Sequence, residues 1–176
     1  MNACIIGASG YSGRELVSLL AVHPDICLSA VTSRSLTGSP LEVALPKMRG
    51  KAKDLLFSSP PPNELAESND LDIFFLALPH GTAAEYAIPL VNAGKRVIDL
   101  SADFRLSCPK RYEEFYGAPH PAPELLEKAM YGLPELHELS WEKSNIIASP
   151  GCYPTSILVP LAPLLQAGLV EREGIV

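Results

Sequence analysis

A short apolar run, Ala3-Cys4-Ile5-Ile6, feeds directly into Gly7-Ala8-Ser9-Gly10-Tyr11-Ser12-Gly13. The run has the unbroken hydrophobicity of a strand buried on both faces of a parallel sheet. Behind the glycines, Leu16, Leu19, Leu20 and His23 recur at helical spacing, and Pro24 ends the pattern. A glycine triplet between strand and helix is the context that dinucleotide binding needs. Gly7 allows a tight turn, Gly10 lets the backbone approach a pyrophosphate, and Gly13 lets the helix pack close to its strand. The anion rests on free N–H groups at the helix start. The first gap is one residue longer than in the commonest spacing. Ser9, Tyr11 and Ser12 fall inside this turn and are expected to face the cofactor with Gly7, Gly10 and Gly13.

The next apolar segment, 27–32, reads as the second strand. An NAD site places an acidic residue about 20 residues beyond the glycines, on the ribose 2′-hydroxyl. Here the sequence is Thr32-Ser33-Arg34-Ser35, with no carboxylate. A hydroxyl beside a guanidinium suits a 2′-phosphate, which the guanidinium can grip with two parallel hydrogen bonds. Ser33 and Arg34 therefore predict NADP(H) as the cofactor.

Further strands are expected at 54–58, 72–78, 95–100 and 145–148, and helices at 82–92, closed by Gly94, and at 124–130. Residues 36–48 read as loop, 58–63 as a rigid connector before a helical turn at 64–67, 112–116 as an aromatic and acidic patch, and 131–136 as an ordered turn. The alternation predicts an α/β fold: a Rossmann-like, doubly wound, mainly parallel sheet with helices on both faces. Ligands then sit at the carboxyl ends of the strands. Pro79 is expected there on the nicotinamide side, with His80 as a structural turn residue. Ser101 and Arg105 sit at the end of another strand, where a hydroxyl and a guanidinium can clamp a substrate anion. Asp103 and Arg105, two apart in an extended segment, are expected on one face.

The remaining chemistry lies in Ser149-Pro150-Gly151-Cys152-Tyr153-Pro154-Thr155. The cysteine stands where the last strand turns into a helix, expected over 153–169 and kinked by Pro160 and Pro163. A helix N-terminus favours the thiolate, the nucleophilic form of cysteine. Cys4 and Cys27 are expected as small core fillers, and Cys108 has no assigned role. No two cysteines form a C-x-x-C pair, so no metal site is expected. The net charge of −6, with Lys+Arg 14 against Asp+Glu 20, gives no basic stripe for nucleic acid. No apolar run approaches the ~20 residues of a membrane span, and the N-terminus carries no secretory pattern, so a cytoplasmic protein is expected.

A poised thiolate beside a nicotinamide and an anion clamp suits an acyl phosphate: the thiolate forms a thioester, which a hydride reduces to an aldehyde. At this point the sequence resembles the N-acetyl-γ-glutamyl-phosphate reductases, relatives of aspartate-semialdehyde dehydrogenase. The matching pieces are the glycine turn, Leu78-Pro79-His80-Gly81, Leu100-Ser101-Ala102-Asp103-Phe104-Arg105-Leu106, Tyr131-Gly132-Leu133-Pro134-Glu135-Leu136 and Pro150 to Thr155; Ser149 stands where the family often has Asn.

The resemblance implies NADPH-dependent reduction of N-acetyl-γ-glutamyl phosphate to the semialdehyde, in arginine biosynthesis. It also implies Cys152 as nucleophile, Arg105 as a substrate-phosphate ligand, and a homo-oligomer at full length. Family members are about twice as long and place a catalytic histidine beyond the cysteine, whereas His23, His80, His120 and His137 all precede it. The expectation is therefore a cofactor domain over 1–149 and the beginning of an α+β catalytic domain over 150–176, inactive alone. Two other readings stay open: a reductase of another acyl phosphate such as β-aspartyl phosphate, and a non-catalytic NADP-binding sensor.

Overall fold

The computed structural model describes residues 1–52 and 54–175. Among the described residues, seven strands form one sheet: β1 (Asn2–Ile6), β2 (Cys27–Thr32), β3 (Phe57–Ser58), β4 (Ile73–Leu76), β5 (Arg96–Asp99), β6 (Met130–Tyr131) and β7 (Ile146–Ala148). They lie in the order β3-β2-β1-β4-β5-β7-β6, and every pairing is parallel. This is the doubly wound fold expected from the sequence. The order reverses between β1 and β4, which opens a crevice at their carboxyl ends.

Successive side chains of a strand point to opposite faces, and the core divides accordingly. Cys4, Ile6, Phe74 and Leu76 face one apolar layer with Leu90, Val97, Leu126 and Ile146. Ala3, Ile5, Ile73 and Phe75 face the other with Val17, Val31, Leu41 and Phe57. Burial pushes the Cys4 thiol up to about 12, so it is an inert core filler. Cys27, expected beside it, is exposed at the start of β2.

The helices are α1 (Tyr11–Leu20), α2 (Leu41–Ala44), α3 (Pro62–Glu67), α4 (Ala83–Asn92), α5 (Pro109–Tyr116), α6 (Pro123–Lys128) and α7 (Cys152–Gln166). The buried face of α1 is Gly13, Val17 and Leu20, whereas Leu19 is 65 % exposed. The contact side is set by Gly13, which brings that face close to β1. Two regions are more ordered than expected. The stretch 36–48 contains α2 and a single 3-10 turn, Pro46–Met48, and the patch at 112–116 is the end of α5, which starts at Pro109.

Strand β3 has two residues, shorter than the expected 54–58, and Lys53 lies outside the described residues. The helix expected over 124–130 stops at Lys128, because Met130 and Tyr131 pair with β7 as an edge strand. Gly174-Ile175-Val176 reads in the sequence as the start of a further strand; Gly174 and Ile175 form none, and Val176 lies outside the described residues. Helix α7 runs unbroken through Pro160 and Pro163 and buries none of its residues. Because α7 buries none of its residues, carbonyls that lose a donor to those prolines can turn to water, which lowers the cost of keeping the helix. Among the described residues, no helix is long and apolar enough to cross a membrane.

Candidate functional site

The carboxyl ends of β1, β2 and β4 enclose a cleft of about 370 Å³, lined by Gly7, Ser9, Gly10, Ser33, Arg34, Pro79 and Tyr86 among others. Its floor is shaped by two glycines. Gly7 has φ +88°, and a Cβ there would come within 2.3 Å of the Ala77 carbonyl oxygen. A Cβ on Gly13 would come within 2.3 Å of the Gly7 oxygen. Gly10 differs: its backbone is extended, and a Cβ would meet only the Gly7 oxygen at 3.5 Å. Gly7 and Gly13 thus hold the turn, and Gly10 leaves its approach open. That is the cradle a pyrophosphate requires.

Hydroxyl groups tie the turn to the end of β2. The Gly7 N–H donates to Thr32 Oγ1 at 3.3 Å, and Ser9 Oγ lies 2.8 Å from Ser33 Oγ, which lies 3.3 Å from Ser35 Oγ. Arg34 reaches over the cleft toward α4, where Nη2 stands 3.8 Å from Glu85 Oε2. The Tyr86 hydroxyl, and then the charges of Tyr86 and Glu85, bind its proton more firmly. Tyr11 and Ser12 sit exposed on the first turn of α1; Tyr11 borders a separate groove with Arg14 and Lys47. Gly13 is buried beneath the turn, outside the cleft lining.

Cys152 is exposed at the first position of α7, immediately after the extended Gly151. The elbow is pinned from below. The Ser149 N–H donates to the Asp99 carbonyl at 2.7 Å. Arg105 Nε donates to the Ser149 carbonyl at 2.8 Å, and its Nη2 to the Leu100 carbonyl at 3.0 Å. The guanidinium packs so tightly under the elbow that a Cβ on Gly151 would lie 3.1 Å from Nη1.

Ser101 behaves differently from the expectation. Its hydroxyl is buried, donating to Asp99 Oδ2 at 2.8 Å and accepting from the Asp103 N–H at 3.0 Å. Burial pushes the Asp99 carboxyl up to about 6, against the pull of two Ser101 hydrogen bonds and of Arg105, with Asp103 adding to the rise. Asp103 does not share a face with Arg105, because residues 101–105 are a compact turn and not extended. Its carboxylate instead faces back to the turn after β4, where His80 Nδ1 lies 2.7 Å from Oδ1. Spacing in the sequence does not single out Asp99, Asp103 or Tyr86 as site residues. Their one signal is a position at or soon after the carboxyl ends of β4 and β5.

A glycine cradle at the reversal of a doubly wound parallel sheet, with a hydroxyl and guanidinium rim, defines a nicotinamide-dinucleotide-binding domain. The chain belongs to the semialdehyde dehydrogenase family: residues 2–144 match the family described as "Semialdehyde dehydrogenase, NAD binding domain". Among relatives, N-acetyl-gamma-glutamyl-phosphate reductase of Akkermansia muciniphila is 47 % identical over 176 residues, covering 100 % of this chain and 51 % of that protein. The enzyme of the same name from Methanopyrus kandleri is 48 % identical, covering 95 % and 48 %. The chain thus spans about half the length of the curated relatives it matches. Among solved structures, aspartate semialdehyde dehydrogenase II of Vibrio cholerae aligns with a TM-score of 0.66 at 21 % identity, over 94 % of this chain and 46 % of that one. Aspartate semialdehyde dehydrogenase with NADP from Candida albicans aligns with a TM-score of 0.60 at 20 % identity, over 94 % and 47 %. These structural similarities extend to the fold and not to the substrate.

Proposed function

We propose that this chain is the cofactor-binding part of an NADPH-dependent reductase that converts N-acetyl-γ-glutamyl phosphate to its semialdehyde through a thioester on Cys152. The observation that carries the reading is the 2.8 Å bond from Arg105 Nε to the Ser149 carbonyl, which fixes a guanidinium directly beneath the cysteine elbow. Gly7, Ser9, Gly10 and Pro79 hold the dinucleotide, with Tyr11, Ser12 and Gly13 shaping the start of α1. Ser33 and Arg34 take the 2′-phosphate. Residues 150–176 begin the catalytic domain, which supports a homo-oligomer.

The chain's own residues act in order. The N–H groups of Arg105 that are not committed to Ser149 and Leu100 draw the acyl phosphate to the elbow. The Cys152 sulfur attacks the acyl carbon, the carbon–oxygen bond to phosphate breaks, and phosphate leaves with its electron pair against that positive charge. Cys152 stands at the first position of α7, where the free N–H groups of the helix start face negative charge that develops at the elbow. The reduced nicotinamide, when bound, supplies the hydride that converts thioester to aldehyde. Ser101 contributes by holding the 101–105 turn through Asp99, since its hydroxyl is already engaged.

The test uses a chain of the relatives' full length and follows NADPH oxidation with N-acetyl-γ-glutamyl phosphate and with β-aspartyl phosphate. Faster turnover of the first, abolished by Cys152→Ser, supports the assignment. A preference for the second substrate moves the protein to the aspartyl branch. Cys152 alkylation no faster than that of an ordinary free thiol, with no turnover of either, leaves only a cofactor-binding protein.

A further inference from the structure

The turn that follows β4 has two sides. One presents Pro79 and Thr82 to the cofactor cleft. The other gives up its hydrogen-bond donors to a single buried carboxylate. Asp103 Oδ1 accepts from the Gly81 N–H at 2.7 Å and lies 2.7 Å from His80 Nδ1. Asp103 Oδ2 accepts from the N–H groups of Ala83 at 3.0 Å and Ala84 at 3.3 Å. Helix α4 has no cap of its own, since Thr82 makes no side-chain cap bond. A residue 19 to 22 positions further along the chain therefore supplies its cap.

The same residue is tied in the opposite direction. The Asp103 N–H donates to Ser101 Oγ, Ser101 Oγ donates to Asp99 Oδ2, and the Asp99 carbonyl accepts from Ser149 N–H. An unbroken series of hydrogen bonds thus runs from the wall of the cofactor cleft to the elbow that carries Cys152. The Ala83 and Ala84 donors are buried, so losing the carboxylate would strand both, which leaves Asp103 little freedom.

We infer that Asp103 is a positioning residue, which sets the 79–84 turn, and with it the nicotinamide end of the cofactor, against the loop carrying Arg105 and the cysteine elbow. The inference rests on the dinucleotide reading of the cleft. It separates the two ends of the cofactor: the adenosine half is gripped by Ser9, Ser33 and Arg34, none of which touches Asp103, and only the nicotinamide half depends on the 79–84 turn.

The test is saturation-transfer NMR with NADP⁺ on the 176-residue chain, comparing transfer to adenine and to nicotinamide protons. The unaltered chain should show both. In Asp103→Asn, which places an amide NH₂ against backbone donors, nicotinamide transfer should fall several-fold relative to adenine while NADP⁺ affinity is largely kept. Loss of stability alone lowers both signals together and leaves their ratio unchanged. Ser101→Ala keeps all four contacts between Asp103 and residues 80–84 and removes the hydroxyl that accepts from the Asp103 N–H and donates to Asp99 Oδ2. It should lower the same ratio, and it decides the matter if Asp103→Asn does not fold. An unchanged ratio in the folded variants overturns the positioning role. Absence of transfer to either end in the unaltered chain overturns the cofactor reading, and this inference with it.

Discussion

Arg34 and Glu85 face each other across the mouth of the cofactor cleft, Nη2 to Oε2 at 3.8 Å, so the guanidinium assigned to the 2′-phosphate is partly engaged before any phosphate arrives. Both side chains are more than half exposed, and such a pair holds only weakly. A bound phosphate with two parallel hydrogen bonds outcompetes it.

Arg34→Ala should therefore weaken NADPH binding by roughly 10- to 100-fold, the worth of a charged hydrogen bond, and NADH binding little. Glu85→Gln should tighten NADPH up to a few-fold by removing a competitor, within the small energy of an exposed pair. Titrations of the 176-residue chain with each cofactor check both. Equal losses for NADPH and NADH in Arg34→Ala would remove the 2′-phosphate assignment.

Gly10 and Gly13 make opposite predictions although both belong to one motif. A Cβ on Gly13 would lie 2.3 Å from the Gly7 oxygen and 2.7 Å from Ala8 Cα, both backbone atoms that cannot move aside. Gly13→Ala should lose about 1–3 kcal/mol or more of stability from overpacking. Gly10→Ala meets only one atom at 3.5 Å, so it should fold within about 0.5 kcal/mol of the parent. Its methyl group nevertheless fills the approach to the backbone, and dinucleotide binding should drop. Urea unfolding together with NADPH titration separates the two. A destabilised Gly10→Ala with normal binding would contradict this division of roles between the glycines.

The sequence makes β1 and β4 readable because strands buried on both faces are hydrophobic throughout, and β2 by its apolar content although only part of it is buried; their carboxyl-end turns follow. The cysteine elbow is readable for the same reason, being the end of another such strand. Strand β6 is not, since two residues show no periodicity and exist as a strand only through their pairing with β7; β3 is readable in place but not in length, because of the expected 54–58 only Phe57 and Ser58 pair with β2. Helix α5 is hidden because Tyr112 alone of its residues is buried. Counting leucines misjudges the inward face of α1, where a glycine sets the contact side. Sequence proximity pairs Asp103 with Arg105, yet its partners lie at 80–84, which no local spacing reveals.

Asp99 supplies a pH signature. Burial raises its carboxyl from 3.8 to about 6 in the folded chain. The folded state therefore binds this proton more tightly than the unfolded state. The resulting stabilisation is complete below about pH 4 and is lost as pH rises through about 6. The shift corresponds to about 3 kcal/mol. Asp99→Asn preserves the shape and can still accept from the Ser101 N–H. Relative to the parent, its unfolding free energy should climb by up to that amount between about pH 4 and pH 7, as read from urea midpoints. Parallel curves for the two proteins across this window would show that the Asp99 carboxyl is not held up by burial.

Arg105 is the last residue whose chemistry can be separated from its charge. Its Nε and Nη2 hold two different carbonyls, Ser149 at 2.8 Å and Leu100 at 3.0 Å, while Nη1 lies under Gly151. A lysine keeps the positive charge but offers one compact ammonium without the planar fork, so it cannot hold both carbonyls and still face a phosphate. In a chain of the relatives' length, Arg105→Lys should lower kcat by about 10- to 100-fold, the scale of a misplaced reacting group. The NADPH dissociation constant should stay the same, because neither Arg105 nor its two carbonyl partners line the cofactor cleft. If kcat is instead retained and only the KM for the acyl phosphate rises, the guanidinium serves as a charge for the substrate alone, and the elbow is held by the Ser149 N–H bond to Asp99.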